Sequence, residues 1–82
     1  MRQINDPMER EVAEALYAIG EPFEHEKNGL DFYIPRLDLY IEVKRFHSPR
    51  IAAQMARAEN IIAVQGSFAV RTISDLIRRG GL

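Results

Sequence analysis

The side chains whose types and spacing could do chemistry are Asp31, Glu42 and Lys44. They lie in two alternating stretches, residues 30–34 and 39–46. Leu30, Phe32, Ile34, Leu39, Ile41 and Val43 fall on one face of these strands. Asp31, Tyr33, Tyr40, Glu42 and Lys44 fall on the other. Pro35-Arg36-Leu37-Asp38 separates the two. A two- or four-residue turn centred on Arg36 and Leu37 pairs residues whose numbers sum to 73. That register sets Asp31 directly across from Glu42, with Cβ atoms roughly 4.5–5.5 Å apart. A turn one residue longer or shorter would break the match, so the register is itself an expectation.

Two opposed carboxylates repel each other and destabilise a hairpin unless something compensates. A divalent cation is the natural compensation. Mg²⁺ is commonly held by one or two carboxylates, its other positions left to water and phosphate. Lys44 follows Glu42 by two residues and projects from the same face. Its ammonium could orient and acidify a water, or offset charge on a reacting phosphate. An Asp, a Glu and a Lys on one sheet face therefore describe phosphodiester hydrolysis assisted by Mg²⁺ or Mn²⁺. The competing reading is a solvated sheet face carrying an ordinary Glu–Lys pair, since a Glu-Val-Lys triplet also arises by chance.

The elements that must position these residues read as helix, three strands, helix, strand, helix. Asp6 can cap the first helix, Pro7 suits its first position, and Glu9 stands third in a box-like pattern. Met8, Val12, Ala15, Leu16 and Ile19 then form one stripe, and Gly20 ends it. Residues 23–27 alternate as a short strand, and Asn28-Gly29 is a hairpin signal. Ser48 and Pro49 open a second helix running to about residue 59, with Ile51, Met55 and several alanines as its apolar part. Residues 61–64 form an unbroken apolar run, as in a strand buried on both faces. A helix between two strands predicts a right-handed parallel crossover. Ser67 starts the last helix with Phe68, Val70, Ile73, Leu76 and Ile77 inward, and Gly80-Gly81 ends it.

Size and composition bound the function. The chain has 82 residues, 46% hydrophobic and 28% charged, which fits one globular domain. A domain this small buries only about 60–65% of its unfolded surface, so a homodimer would be a natural source of further burial. Cysteine is absent, which excludes disulfides, thiol chemistry and cysteine-ligated metals. No apolar run is long enough to span a membrane. Arg2 and Gln3 follow Met1 where a secretory signal would be apolar, so the expected location is intracellular. The net charge of −1 conceals an asymmetry: residues 1–31 carry eight acids against three bases, and residues 44–82 seven bases against two acids. A basic half facing an acidic half suits a local phosphate-binding face around a metal site; ordinary charge scatter would look the same.

Asp31, ten intervening residues and then Glu42-Val43-Lys44 resemble the pattern of the PD-(D/E)XK phosphodiesterase superfamily. The order helix, three strands, helix, strand is similar to that superfamily's minimal core. The resemblance covers nearly the whole chain. It is nearest to the virus-type replication-repair nuclease (VRR-NUC) domains, including their compact phage forms, and to junction-resolving endonuclease I. Gly29-Leu30 stands where the family usually has a proline before the aspartate. The implied fold is α/β and restriction-endonuclease-like, order αβββαβα, with a small mixed sheet flanked by helices.

The implied activity is metal-dependent hydrolysis of DNA, structure-specific rather than sequence-specific, by a homodimer. Asp31 and Glu42 would bind Mg²⁺ or Mn²⁺, and Lys44 would serve the attacking water. The family places a further acid on the first helix, and the surroundings of Glu9 are similar to that stretch. The rival role for Glu9 is to complete the cap with Asp6, and Glu11 is the alternative acid. Ser48 and Gln54 resemble a serine and a helical glutamine of the replication-repair branch. Arg45, Arg50 and Arg57 could contact the phosphate backbone, or simply be solvated. His25 and His47 lack the spacing of a zinc site. Tyr33 and Tyr40 are expected to pack under the first helix rather than stack on bases.

Overall fold

A computed structural model describes residues 4–44 and 60–82. Over these residues the chain is α/β, with a four-stranded mixed sheet and two helices. Helix α1 spans Pro7–Ala18, strands β1 to β3 span Glu24–Lys27, Leu30–Ile34 and Leu39–Lys44, strand β4 spans Ile61–Gln65, and helix α2 spans Gly66–Arg78. The helix expected over residues 48–59 lies outside the described residues, as do Arg45, His47, Ser48, Arg50, Gln54 and Arg57.

The sheet order is β1-β2-β3-β4. The first three strands are antiparallel neighbours, and β4 runs parallel to β3, from Tyr40↔Ile61 to Lys44↔Gln65. Asn28 and Gly29 both have positive φ, +54° and +78°, as the two-residue turn matching strand twist requires. Between β2 and β3 the chain makes a 3₁₀ turn over Pro35–Leu37, and Asp38 closes it in the left-handed region at φ +48°. The pairs Phe32↔Ile41, Tyr33↔Tyr40 and Ile34↔Leu39 carry the register expected from the sequence.

Both helices pack on the apolar face of the sheet and against each other. Phe32, Ile34, Ile41, Val43 and Val64 meet Val12, Ala15 and Leu16 of α1 and Val70, Ile73 and Ile77 of α2 in one core. Full burial of such a side chain is worth about 1.5–3 kcal/mol, so this layer carries much of the stability. Asp6 caps α1 by accepting from Met8 N at 2.8 Å and Glu9 N at 3.1 Å. The other end of α1 closes with Gly20 N donating to Tyr17 O and Glu21 N to Leu16 O, the paired bonds of a left-handed glycine stop. Gly80 and Gly81 close α2 in the same way.

Four expectations are corrected. Ile19 falls at the C-cap of α1, past the last helical turn, and is exposed. Helix α2 begins at Gly66 with Gln65 as its N-cap, without a side-chain cap bond, rather than at Ser67. Its buried stripe is Val70, Ile73, Ser74 and Ile77, so Phe68 points to the opposite side and is 80% exposed, while Leu76 lies at the stripe's edge, also exposed. Tyr33 and Tyr40 lie on the sheet face away from α1, their rings 4.7 Å apart, with Asn28 bonding the Tyr40 hydroxyl and Asp38 accepting from that of Tyr33. No helix among the described residues is long and apolar enough to cross a membrane.

Candidate functional site

Two neighbouring strands bring three of the expected residues together, and a helix carries a fourth. Strand β2 carries Asp31, β3 carries Glu42 and Lys44, and the first turn of α1 carries Glu9. The β2–β3 register, continued one step beyond Phe32↔Ile41, sets Asp31 across from Glu42. At that step the Asp31 carboxylate accepts the backbone N–H of Val43 at 2.7 Å. The side chain is thereby fixed against β3. On its other side, Glu26 of β1 adopts φ +60°, a left-handed conformation that glutamate rarely takes.

Glu42 lies on a central strand and is only 2% exposed, despite belonging to the polar face. Its Oε2 is buried without a hydrogen-bond partner among the described residues. Lys44 Nζ, at 3.8 Å from that oxygen, lies beyond hydrogen-bond distance but within ion-pair range. Burial pushes the Glu42 carboxyl up to about 8, with the hydrogen bond and negative charge of Asp31 acting in the same direction and Lys44 opposing them. A buried carboxylate next to another carboxylate cannot readily ionise, so Glu42 holds a proton unless a cation replaces it.

Glu9 is drawn into the same electrostatic group. Its pKa is raised, first by burial, with the charges of Asp31 and Asp6 adding to the rise and a hydrogen bond from His25 opposing it. That bond joins His25 Nε2 to Glu9 Oε1 at 2.8 Å. The Glu9 carboxylate is therefore engaged by β1 while Asp6 caps the helix. Glu11 is half-buried on the same helix.

The residues present fit a divalent cation that keeps much of its own hydration. Among the described residues a buried Glu42 oxygen has no donor, and burial beside Asp31 presses the Glu42 carboxyl to keep its proton. Among the described residues no three His, Asp or Glu side chains are grouped so that they could hold a metal ion. Two carboxylates with water and phosphate completing the shell is the arrangement Mg²⁺ tolerates. A separate cleft lies at the Pro35 end of β2, where Leu16, Ile34 and Ile77 meet the Glu21–Arg36 ion pair.

His25 bonds Glu9, a contact that zinc spacing does not point to. Zinc spacing was the wrong criterion for it. The useful signal was its pairing with Phe32, which puts its ring on the face that α1 covers. Comparison with known proteins returns nothing: no family model, no curated protein and no solved structure matches the chain.

Proposed function

We propose that the protein is a Mg²⁺- or Mn²⁺-dependent phosphodiesterase that cuts DNA. The observation carrying this reading is the buried, unpartnered Glu42 Oε2 beside Asp31, with Lys44 at 3.8 Å. Asp31 and Glu42 hold the metal, and Glu9 completes the set directly or through water. A bound divalent cation supplies Lewis-acid polarisation of the phosphate and a more acidic water. The protein's own residues do the rest. Asp31 is held on the Val43 N–H, so its carboxylate needs little reordering to bind. Lys44 orients the attacking water and offsets the negative charge that builds on phosphorus.

The resemblance to PD-(D/E)XK nucleases supplies the substrate class and the restriction-endonuclease-like core. In this reading Arg45, Arg50 and Arg57 contact backbone phosphates, and Ser48 and Gln54 support them. A chain of 82 residues has little surface for reading base edges, which favours branched, flapped or junction DNA recognised by shape. A homodimer would set two sites on two strands. The exposed Phe68 and Leu76 beside β4 support such self-association.

The test is cleavage of labelled single-stranded, duplex, flap and four-way-junction DNAs with Mg²⁺ or Mn²⁺. Wild-type cutting of one or more substrates that is lost in Lys44→Ala is the expected result. DNA binding without cutting would leave a nuclease fold that serves only to bind. Neither binding nor cutting would end the nucleic-acid reading.

A further inference from the structure

The sheet has two edges, and they are built differently. Strand β1 forms one of them with Glu24-His25-Glu26-Lys27, a short charged run in which Glu26 turns left-handed at φ +60°. Charge, shortness and a twisted backbone are how an edge strand resists pairing with another chain. Strand β4 forms the other edge with Ile61-Ile62-Ala63-Val64-Gln65. It carries no charge, no proline and no residue with positive φ. Among the described residues it pairs only with β3. An edge of this composition is a template for one more strand.

The helix beside that edge is open as well. Ala63 and Val64 of β4 line one groove with Phe68, Thr72 and Leu76 of α2. Phe68 is 80% exposed and Leu76 44%. Phe68, Thr72 and Leu76 follow one another at intervals of four, so they form a single ridge along the helix. An unprotected strand edge and an apolar ridge thus lie side by side and meet at Ala63.

We propose that the protein dimerises through β4 and the outer face of α2, joining two four-stranded sheets into one continuous sheet. A two-fold axis at Ala63 pairs β4 antiparallel with its own copy, Ile61 across from Gln65 and Ile62 across from Val64. Thr72 lines the groove with Ala63, so the same axis runs between the two Thr72 residues and sets Phe68 of each copy against Leu76 of the other. Arg71 and Asp75, both exposed on α2 and opposite in charge, then approach each other across the axis. The contact closes at two copies, because the joined sheet ends in a β1 strand on each side, the edge that resists pairing. This surface gives a place to the self-association in the functional reading above, and it stands apart from the cation site.

The experiment is sedimentation equilibrium of the whole, metal-free chain, with amide hydrogen exchange above and below the dissociation constant. The expected result is a concentration-dependent dimer that Phe68→Lys weakens about tenfold or more. Leu76→Lys is the second probe, and far-UV circular dichroism reports that each variant is folded. Arg71→Asp and Asp75→Arg should each weaken the dimer roughly two- to tenfold, and the double variant should recover it. Exchange over residues 61–65 should be slower in the dimer. A chain that stays monomeric at every concentration would overturn the proposal, whatever it does to DNA. A dimer insensitive to both lysine substitutions, or one whose residues 61–65 exchange alike above and below the dissociation constant, would overturn it too. Charge reversals that the double variant does not rescue would overturn the antiparallel packing of α2. A dimer with the expected properties that binds no Mn²⁺ and cuts no DNA would leave this interface standing and remove only the nuclease reading.

Discussion

Asp31 Oδ2 accepts the backbone N–H of Val43 at 2.7 Å, one residue beyond the Glu42 it faces. The bond ties a strand β2 carboxylate to strand β3 just past the last regular pair, Phe32↔Ile41. It places two acids side by side where the ladder alone would only set their backbones opposite. A structural acceptor and a repulsive neighbour are thus the same side chain.

That double role separates two substitutions. Asp31→Ala leaves the Val43 N–H without its acceptor and should cost about 1–3 kcal/mol, partly offset by relief of the Glu42 carboxyl. Asp31→Asn keeps an oxygen for Val43 and should melt within about 1 kcal/mol of wild type. Both should lose the stabilisation that Mg²⁺ or Mn²⁺ gives the wild type. Thermal melts with and without metal read both effects, and a metal response surviving in Asp31→Asn would contradict the assignment.

The Glu42 carboxyl gives stability a pH dependence with a definite sign. Its folded value of about 8 lies above the ordinary 4.5, so between these the folded state holds a proton that the unfolded chain has lost. The slope of unfolding free energy with pH is then negative, and stability falls as pH rises through that window. The Glu9 shift is also upward and adds to the fall. Each unit is worth about 1.4 kcal/mol, so the loss is at most a few kcal/mol. In chelator, wild-type melting temperature should decline between about pH 5 and pH 8. Glu42→Gln should flatten the decline and be the more stable protein at the upper end. A wild-type profile that climbs over that range would contradict the buried protonated pair.

Ser74 offers a test of the core alone. It is fully buried on the α2 stripe, and its Oγ has no hydrogen-bond partner among the described residues. Ser74→Ala removes an unsatisfied hydroxyl and improves helix propensity, so stability should rise by about 1 kcal/mol. Urea denaturation reads this directly. A loss of stability would mean that the hydroxyl is satisfied in solution.

Phe68 tests the outer face of α2. At 80% exposure it contributes little to the monomer, so Phe68→Ser should change monomer stability by less than about 0.5 kcal/mol. If two copies associate there, the same substitution shifts sedimentation toward the monomer. An unchanged dimer would place the interface elsewhere.

Much of this arrangement was legible in the chain. The alternation of residues 30–34 and 39–44 and the Pro35 turn carry the register, because a slip of one residue would expose Phe32 and Ile41. The Asp31–Glu42–Lys44 grouping follows from that register. The Glu9–His25 bond was not legible, since it joins residues 16 apart from a helix and a strand whose relative placement is set by packing. The burial of Glu42 was hidden for a related reason: alternation names a face but not what covers it. The exposure of Phe68 arose from phase. Apolar residues two apart in a helix point in different directions, and Val70 rather than Phe68 shares the core stripe with Ile73 and Ile77.

In the proposed site Asp31 and Glu42 take a divalent cation in place of the proton that Glu42 holds. Titrating Mn²⁺ into the protein near pH 6, in two buffers of different ionisation enthalpy, measures binding and proton release together. The account predicts saturable binding that releases on the order of one proton per ion, with the release lost in Glu42→Gln. Saturable binding with no proton released, or no binding, would contradict it.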